Sequence, residues 1–423
     1  MSNLSQFFGG GSVPIGGLVV MPNALPHVTI DGKEYLRAGL LKAYDASYAA
    51  AVAAAPQLRV FHEAATSLAS QSGSYTMRYH HIGSNYVATT GNAVPNYSSN
   101  LTSWSAATGL GGAPGNLDRY AVNGTSYLVV PHGSANYAHY YTANGSSYSA
   151  VGGTFTTHPV SKAVCYGNSW WVALNDLAGT AGGRSTINNA NPSGTWTIAA
   201  APSLGGTAAG VNAIAFGGSG NWFVACGASA SLTAGKLATC TNPSGTWTDR
   251  TNTCGINAGA YSLGINDVVF DGNKFVAVVS RNNTAEVWHA ADPTGSWTYA
   301  GPMPYSAAGK DFLAETMSND NPSLVTDGAG KLWVYAPTNT GPEAKTIYES
   351  SDSGLTWTVF QGTTLGATAT NGDYRTLSYA NGKLIANFSG SATGQSDLGA
   401  LTTPAYVGVQ QPSAYKDYYV RIK

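Results

Sequence analysis

The side chains that could carry out chemistry in this chain are few and widely spaced. Hydrolysis of a glycosidic bond needs two carboxyl groups close together. Sequence spacing does not establish that any two carboxylates lie close together, and Asp267 is typical of the start of a strand. Turn caps are the simpler interpretation of most carboxylates, because Asp-Gly pairs favour hairpin turns. Hydrolysis therefore remains an alternative that depends on a small set of acids: Asp311, Glu315, Asp327, Glu343 and Asp373.

Histidines and cysteines show no spacing typical of a metal site. The adjacent pair His80-His81 places its side chains on opposite faces of a strand. The cysteines contain no C-x-x-C pattern. We expect buried, reduced thiols, with a Cys240–Cys254 disulfide as the alternative. The sequence therefore predicts neither a metal nor a cofactor.

Aromatic rings and amides cluster in two stretches that carry almost no charge. In loops such rings can contact a ligand, and uncharged polar neighbours suit neutral glycans or protein partners better than phosphates. Tryptophans that recur between these stretches and the C-terminus are instead typical of core packing. The candidate ligand-binding residues are Tyr97, Asn100, Asn136, Tyr137, His139, Tyr140 and Tyr141.

Composition limits the fold that could position these residues. The 423 residues include 52 glycines, and 10% are charged while 43% are hydrophobic and 11% aromatic. Coiled coils and charged bundles need more charge, disordered chains have less apolar content, and the glycines lack the triplet repeat of collagen. A net charge of −1 gives no basic field for nucleic acid. No apolar run is long enough for a membrane span and no secretory signal is evident, so we expect a soluble all-β protein without membrane insertion.

Two compositions meet near residue 60 and predict two parts, residues 1–60 and 61–423. In the first part, Asp31-Gly32 separates two short β-rich stretches and predicts a small β-ribbon. The Ala-rich stretch 43–55 is either one short helix or an extended connector. We therefore expect an extended N-terminal segment followed by a larger β domain.

The larger part contains a repeated turn in which glycine precedes an aromatic or aliphatic strand. Successive copies lie 41 to 58 residues apart, a loose period near fifty. The seven copies begin at Gly83, Gly124, Gly167, Gly220, Gly272, Gly330 and Gly382.

A second turn alternates with the first and ends in an aromatic residue. Asn or Asp caps the turn amides, Pro presets the following φ, and Gly closes the turn. Degenerate copies end at Trp104 and Tyr148. The structural residues of the four best copies are Asn191, Gly194 and Trp196; Asn242, Gly245 and Trp247; Asp292, Gly295 and Trp297; and Asp352, Gly354 and Trp357.

Two hairpin turns in each repeat of about fifty residues indicate four short strands per unit. Such units bury large aromatic side chains only by stacking on one another, and this is the geometry of a propeller blade. The sequence therefore predicts a β-propeller of about seven four-stranded blades. We expect the ring to close by pairing of residues near the C-terminus with residues 75–79, which removes exposed strand edges.

The segment 351–357 resembles the Asp-box, or BNR, repeat S-x-D-x-G-x-x-W of sialidases and other propellers. Its Asp352, Gly354 and Trp357 match, with Ser351 one place later than in the pattern. The resemblance implies a propeller fold and a structural turn at the blade periphery. A sialidase also needs an arginine cluster and a tyrosine nucleophile, and no arginine here lies in the Phe/Tyr-Arg-Ile-Pro motif.

Residues 2–11 (SNLSQFFGGG) and 28–39 (VTIDGKEYLRAG) resemble the N-terminal segments of tailed-bacteriophage tail and tail-fibre proteins. The resemblance implies a virion component in which residues 1–60 dock onto other tail or baseplate proteins. It also implies trimeric display, location in the virion, and passage through the host cytoplasm during assembly.

Together these features predict a structural phage tail protein that displays a propeller for attachment to a host-surface receptor, a glycan or a protein. The alternatives are a glycan-cleaving enzyme of the sialidase or another glycosidase type, and a purely structural baseplate or tail decoration protein. No partnership with nucleic acid is expected.

Overall fold

All regular elements that the computed structural model describes are β-strands. This confirms the all-β prediction. The chain divides into two compact units, residues 1–60 with 404–423 and residues 61–403. The described residues include no helix that could cross a membrane. The described ranges are 18–21, 27–30, 33–37, 66–67, 77–90, 94–101, 103–110, 120–130, 139–153, 163–174, 183–200, 210–228, 235–256, 264–281, 284–303, 324–335, 347–361, 374–388, 397–402 and 417–421.

The strands are numbered along the chain. The first four are β1 (Leu18–Met21), β2 (His27–Ile30), β3 (Lys33–Arg37) and β4 (Thr66–Ser67). The next eight are β5 (Met77–Ile82), β6 (Asn85–Thr90), β7 (Asn96–Ser98), β8 (Ser105–Ala106), β9 (Ala121–Asn123), β10 (Tyr127–Val130), β11 (Tyr140–Thr142) and β12 (Ser149–Ala150). They are followed by β13 (Ala163–Gly167), β14 (Trp170–Leu174), β15 (Gly183–Asn188), β16 (Thr197–Ala200), β17 (Gly210–Gly217), β18 (Trp222–Ala228), β19 (Gly235–Cys240) and β20 (Thr248–Asp249). Those of the next two sheets are β21 (Gly264–Phe270), β22 (Phe275–Arg281), β23 (Thr284–Ala290), β24 (Thr298–Pro302), β25 (Val325–Thr326), β26 (Leu332–Tyr335), β27 (Ile347–Ser350) and β28 (Thr358–Gln361). The last four are β29 (Tyr374–Ala380), β30 (Lys383–Phe388), β31 (Asp397–Thr402) and β32 (Asp417–Arg421).

The smaller unit contains one sheet, in the order β1-β32-β3-β2. Its strands β2 and β3 pair antiparallel with Ile30 opposite Lys33, as the Asp-Gly signal between them predicts. The inner strand β32 comes from the other end of the chain, and its Val420 pairs with both Leu18 and Leu36. This sheet therefore needs both ends of the chain. The Ala-rich stretch 43–55 lies outside the described residues.

Six sheets of the larger unit are each built from four strands that are consecutive in the chain. We call these sheets blades 1 to 6: β5–β8, β9–β12, β13–β16, β17–β20, β21–β24 and β25–β28. Every pairing within them is antiparallel, so each blade is a meander. The prediction of four-stranded propeller blades is confirmed.

A further four-stranded sheet is composite, because β29, β30 and β31 are completed by β4 from the N-terminal side. Asp397 pairs with Ser67, and Leu398 pairs with Thr66. Strand β29 contacts β5 of blade 1 and also β25 and β26 of blade 6. The composite sheet therefore lies between the last blade and the first.

Two predictions about the ring are corrected. The structure has six blades of consecutive strands rather than about seven, because the seventh glycine turn, at Gly382, lies in the composite sheet. The segment that pairs near the C-terminal end is Thr66–Ser67 rather than residues 75–79. Strand β32 pairs within the smaller unit instead. A glycine turn indicates a β-hairpin of any kind. The copy at Gly382 therefore indicates the β29–β30 hairpin of the composite sheet and not a seventh blade of consecutive strands.

The hydrophobic core lies between neighbouring blades rather than inside any one of them. One cluster joins Val129 and Val151 of blade 2 to Val164 and Trp171 of blade 3. Other clusters join successive blades in the same way. Each contains the aromatic residue of one Asn/Asp turn, buried or partly buried: Tyr148, Trp196, Trp247, Trp297 and Trp357, with Trp104 between blade 1 and the composite sheet.

The hairpin turns explain why Gly and Asn recur at their tips. Between the paired residues Ala380 and Lys383, Asn381 and Gly382 have φ of +49° and +74°. Two left-handed residues form the turn that matches strand twist in a two-residue hairpin, and they favour Asn-Gly. The local sequence therefore fixes the register of this hairpin.

The first strands of neighbouring sheets contact one another and so line the axis of the ring. Three of them contain a bulge, at Asn212 in β17, Asn266 in β21 and Arg375 in β29. A bulge bends the strand and re-aims its side chains. The Asn212 amide uses this position to donate from Nδ2 to the carbonyl of Ile265 in the next blade, at 2.9 Å.

Candidate functional site

The Asn/Asp turns are built by side chains that cap backbone amides. In blade 6, the Ser350 hydroxyl donates to Asp352 at 2.8 Å, and the Thr356 amide donates to Asp352 at 2.9 Å. The Gly354 amide donates to Ser350 Oγ at 3.0 Å. The serine in this network is therefore Ser350, two residues before Asp352, and not Ser351.

The Pro-containing turns are also capped by the side chain of their first residue, with fewer hydrogen bonds than in blade 6. The amides of Ser193, Ser244 and Thr294 donate to the side-chain oxygens of Asn191, Asn242 and Asp292 at 2.9–3.1 Å. The bonds from the Thr294 amide and hydroxyl hold the pKa of Asp292 below its ordinary value. Burial raises the pKa of Asp352, but the bonds from Thr356 and Ser350 outweigh it and the net shift is downward. Both aspartates therefore accept as carboxylates.

Two of the four turn glycines, Gly194 and Gly354, occupy crowded positions. A Cβ on Gly194 would lie 2.7 Å from Cδ1 of Ile187. Gly354 combines a φ of +85° with a site where a Cβ would lie 2.6 Å from Val287 of blade 5. The amides of Gly245 and Gly295 donate to the carbonyls of Asn242 and Asp292. The glycines therefore fit the turn to itself or to the neighbouring blade.

The aromatic residue that ends each turn joins its blade to the one before. The Trp196 amide donates to the Gly152 carbonyl at 2.9 Å, and the Trp297 amide donates to the Cys254 carbonyl at 2.7 Å. The indole of Trp196 donates to the Pro192 carbonyl at 2.9 Å. These contacts give the turn residues a structural role.

The predicted tyrosine–amide cluster is placed mainly on strands. Tyr97, Tyr140 and Tyr141 are half-buried, and each packs against a cluster between blades. Asn100 caps a turn by accepting from the Ser103 amide at 3.0 Å. Ligand contact by these residues stays a prediction.

His139 belongs to the interior. Its Nε2 lies 2.7 Å from the Ser185 hydroxyl of blade 3, and its ring meets Trp196 edge-on with centroids 5.1 Å apart. Asn136 and Tyr137, the remaining members of the predicted cluster, lie outside the described residues.

The candidate carboxylates of hydrolysis do not form a described pair. Asp327 caps a turn by accepting from the amides of Ala329 and Lys331 at 2.8 and 3.0 Å. On the first strands, the described part of the chain contains one carboxylate, Asp267. The other four candidates, Asp311, Glu315, Glu343 and Asp373, lie outside the described residues.

All four cysteines are free and buried, as predicted, and Cys240 forms no bridge to Cys254. Burial raises the pKa of the Cys165 thiol to about 12 and also raises the pKa of the other two thiols with resolved shifts. Among the described residues, no three His, Cys, Asp or Glu side chains are placed to hold a metal ion.

A cross-strand aromatic pair lies on the outer half of blade 5, with Tyr299 exposed and Trp288 half-buried against the core between blades 4 and 5. Trp288 of β23 and Tyr299 of β24 are cross-strand partners, with ring centroids 5.4 Å apart and planes inclined by 57°. Tyr299 is 49% exposed. The indole nitrogen of Trp288 donates to Glu286 Oε2 at 3.0 Å, which fixes the ring. We call this pair the blade 5 platform.

The blade 5 platform departs from the repeat. In every blade, the residue two places after the aromatic residue of the Asn/Asp turn lies on the fourth strand and pairs with a residue of the third strand. The six blades therefore each have one such cross-strand pair at the same position of the repeat. Blade 5 alone among these six pairs has aromatic rings on both strands. The other five pairs are Asn96–Ala106, Tyr140–Ala150, Ser185–Ile198, Ala238–Asp249 and Tyr348–Val359. Tyr140 therefore occupies the repeat position of Trp288.

Solved structures share the architecture of this chain. The β-propeller domain of Myceliophteria thermophila Cps50 (Swd1) is similar over 80% of this chain and 100% of its own, with 8% identity and a TM-score of 0.51. The chain has a β-propeller fold. Kuenenia stuttgartiensis hydrazine synthase is similar over 79% of this chain and 97% of its own, with 9% identity and a TM-score of 0.50. No protein-family model matches the chain, and no curated protein matches its sequence. At such low identities the likeness extends to the fold alone.

Proposed function

We propose that this protein is a structural component of a bacteriophage tail that displays its propeller to bind a neutral glycan of the host surface. The observation that carries the proposal is the blade 5 platform. Among the six equivalent pairs it is the one with an aromatic ring on both strands, and the ring of Tyr299 is 49% exposed. The resemblance of residues 2–11 and 28–39 to phage tail proteins supports the virion setting.

The chemistry of the blade 5 platform suits a sugar ring. Aromatic faces cover the apolar C–H face of a pyranose, and a polar handle fixes its orientation. Glu286 is buried and accepts from the Trp288 indole at 3.0 Å, which holds that ring in place beside Tyr299. A low net charge of −1 favours neutral over phosphorylated glycans.

Attachment by such a site depends on display in several copies. A single platform with two rings gives a weak contact, and linking copies raises the overall affinity without any new contact. The head sequence supports docking of residues 1–60 on other tail or baseplate proteins and trimeric display. Propellers carried in this way would engage host polysaccharide together.

The test is binding of the purified protein to arrayed neutral polysaccharides from bacterial envelopes. Tyr299→Ala removes half of the blade 5 platform without opening the core, and we expect it to weaken binding at least tenfold. Leu355→Ala is the matched control, because Leu355 is also an exposed apolar side chain, at 48%. Equal binding by the Tyr299 variant and the wild type would contradict the site.

The virion setting is tested separately by immunogold electron microscopy of the particles that encode this chain. Label on the tail supports the tail assignment, and its absence from intact and disrupted particles overturns it. Release of reducing sugar from the bound polysaccharide would favour the glycan-cleaving alternative.

A further inference from the structure

One buried histidine of blade 5 has no hydrogen-bond partner for its ring in the described part of the chain. His289, on β23, is 7% exposed. Neither its Nδ1 nor its Nε2 forms a hydrogen bond to any described residue. A neutral imidazole has one donor and one acceptor, whereas an imidazolium has two donors and a charge. Burial without a partner therefore costs free energy in both states, and it costs more in the charged state.

His289 faces blade 6. In the regular pairing of β22 with β23, His289 lies opposite Val276 and Val287 lies opposite Val278. Residues two places apart lie on the same face of a strand, so His289 shares the face of Val287. That face packs against blade 6, because Val276 and Val287 belong to the same cluster as Leu332.

The Asn/Asp turn of blade 6 lies directly against this face. A Cβ on Gly354 would lie 2.6 Å from Cγ1 of Val287. We call this contact, together with the buried His289 beside it, the blade 5–6 seam. Separation of the turn from β23 would admit water to the imidazole.

Three charged groups from two turns act on the His289 ring. Lys274 and Asp271 belong to the hairpin turn between β21 and β22, and Asp352 belongs to the Asn/Asp turn of blade 6. The strand partners of His289 on β22 and β24 are uncharged. Burial and the Lys274 charge lower the pKa of His289, and the opposing effect of the two aspartates does not reverse the shift. The ring is therefore neutral at pH 7.

His289 is also adjacent to the blade 5 platform. It pairs with Thr298 of β24, and the next pair along the same two strands is Trp288–Tyr299. Strand β24 is the outer strand of its sheet. Because adjacent residues of a strand are about 3.3 Å apart, a displacement of β24 at Thr298 also displaces Tyr299.

The repeat shows that this position does not require a histidine. The residue one place after the turn aromatic pairs with the third strand in every blade, and blade 5 is the one of the six whose third-strand residue is a histidine. Blades 3 and 4 have buried threonines there, which do not titrate. The six equivalent residues are Tyr97, Tyr141, Thr186, Thr239, His289 and Glu349.

We propose that His289 is an acid-sensitive switch in the blade 5–6 seam. The neutral ring lets the seam stay closed, and protonation favours an open seam in which water reaches the ring. Opening displaces β24 and so weakens binding of a glycan to the blade 5 platform. This last step rests on the proposed function of the platform, whereas the opening of the seam is independent of it.

The direction of the pH dependence follows from the burial of His289. Its pKa is lower in the closed seam than in the open one, where the ordinary value of 6.5 applies. The closed seam is therefore fully favoured above pH 6.5, and this advantage is lost as the pH falls through the closed-state pKa. At pH 5.5, one unit below the ordinary value, protonation can raise the opening equilibrium by up to about tenfold.

The experiment is hydrogen exchange of the full chain at pH 7.5 and pH 5.5, followed by mass spectrometry. Protection factors are compared, because they remove the intrinsic effect of pH on exchange. In the wild type we expect those of residues 298–302 to fall about three- to tenfold at pH 5.5. His289→Gln and His289→Thr remove the titratable ring, and each should keep its protection factors within about twofold. Either variant alone tests the switch if the other does not fold.

His81→Gln is the matched control. Burial and the charge of Lys383 also lower the pKa of His81, but this histidine lies in blade 1. The control variant should show the same loss of protection at residues 298–302 as the wild type. Constant protection of the wild type between the two pH values overturns the switch, as does an equal loss in the His289 variants.

The coupling to the blade 5 platform is measured with the neutral polysaccharide that the wild type binds. We expect the affinity of the wild type to fall about threefold or more at pH 5.5, and that of His289→Gln to stay constant. An open seam with unchanged affinity overturns the coupling. If no glycan binds at either pH, the proposed function fails, while the exchange measurement still decides whether the switch exists.

Discussion

The first residue of the Asn/Asp turn accepts a backbone hydrogen bond whether its side chain is a carboxylate or an amide. Asp292 and Asn242 each accept a backbone amide two residues later, at 2.9 and 3.1 Å. The difference between them is charge. An aspartate that accepts such bonds is more acidic in the folded chain than in the unfolded chain, and so its contribution to stability depends on pH.

Asp292→Asn is therefore expected to leave stability at pH 7 within about 0.5 kcal/mol of the wild type. Because the folded-state pKa of Asp292 is lowered, its stabilising effect is present above the ordinary carboxyl value and is lost as pH falls through the folded-state pKa. The variant should therefore lose less stability than the wild type between pH 7 and pH 3.

Urea unfolding at both pH values measures the effect. Asp352 also has a lowered pKa in both proteins. The free energy of unfolding of the variant should therefore still fall between pH 7 and pH 3, but by less than that of the wild type. Parallel curves for the two proteins would show that the Thr294 bonds do not favour the ionised form.

At the scale of the element, β32 is the strand whose position matters most for the smaller sheet. Val420 faces Leu18 on one side and Leu36 on the other. In an inner strand every backbone N–H bonds to one neighbour or the other. Proline, which has no N–H, is excluded from such strands.

Val420→Pro is expected to disrupt the smaller sheet while the larger unit stays folded. Hydrogen exchange followed by mass spectrometry should show faster exchange at residues 18–21 and 33–37, and unchanged exchange in β22 and β23. Val420→Thr keeps the N–H and serves as the control. Wild-type exchange in the proline variant would contradict the pairing of β32.

At the scale of the whole molecule, the composite sheet is completed by a strand of two residues. Thr66 and Ser67 pair with Leu398 and Asp397. Without them β31 becomes an exposed edge, and such edges promote aggregation.

Two truncated proteins isolate this effect. Removal of residues 1–60 keeps β4, while removal of residues 1–72 deletes it. We expect the shorter protein to unfold a few degrees lower and to be cleaved by protease near residues 397–402, with thermal unfolding and limited proteolysis as the measurements. Identical behaviour of the two proteins would show that β4 is dispensable for closing the sheet.

The sequence predicts the repeating parts of this fold because each repeat contains local turn chemistry. The aromatic turns, from Trp104 to Trp357, number six and match the six blades, whereas the glycine turns overcount because Gly382 marks a hairpin of the composite sheet. The pairing of Ser67 with Asp397 could not be predicted, because a two-residue strand has no pattern of its own.

The candidate ligand-binding residues also differ in how far the sequence could predict their positions. Tyr299 could have been found from the sequence, as the aromatic that stands where the other blades have Ile198 and Asp249. Tyr140 and Tyr141 were predicted to lie in a loop. They lie on a strand, and their rings pack against clusters between blades.

The placement of β32 has a consequence for the timing of synthesis. The ribosome makes β1, β2 and β3 first, but the strand that fits between β1 and β3 is among the last residues of these 423 to be made. A nascent chain therefore carries an incomplete sheet at its N-terminus until the repeats have been translated. If this sheet is the docking surface, an unfinished chain cannot compete with finished ones for a place in the particle.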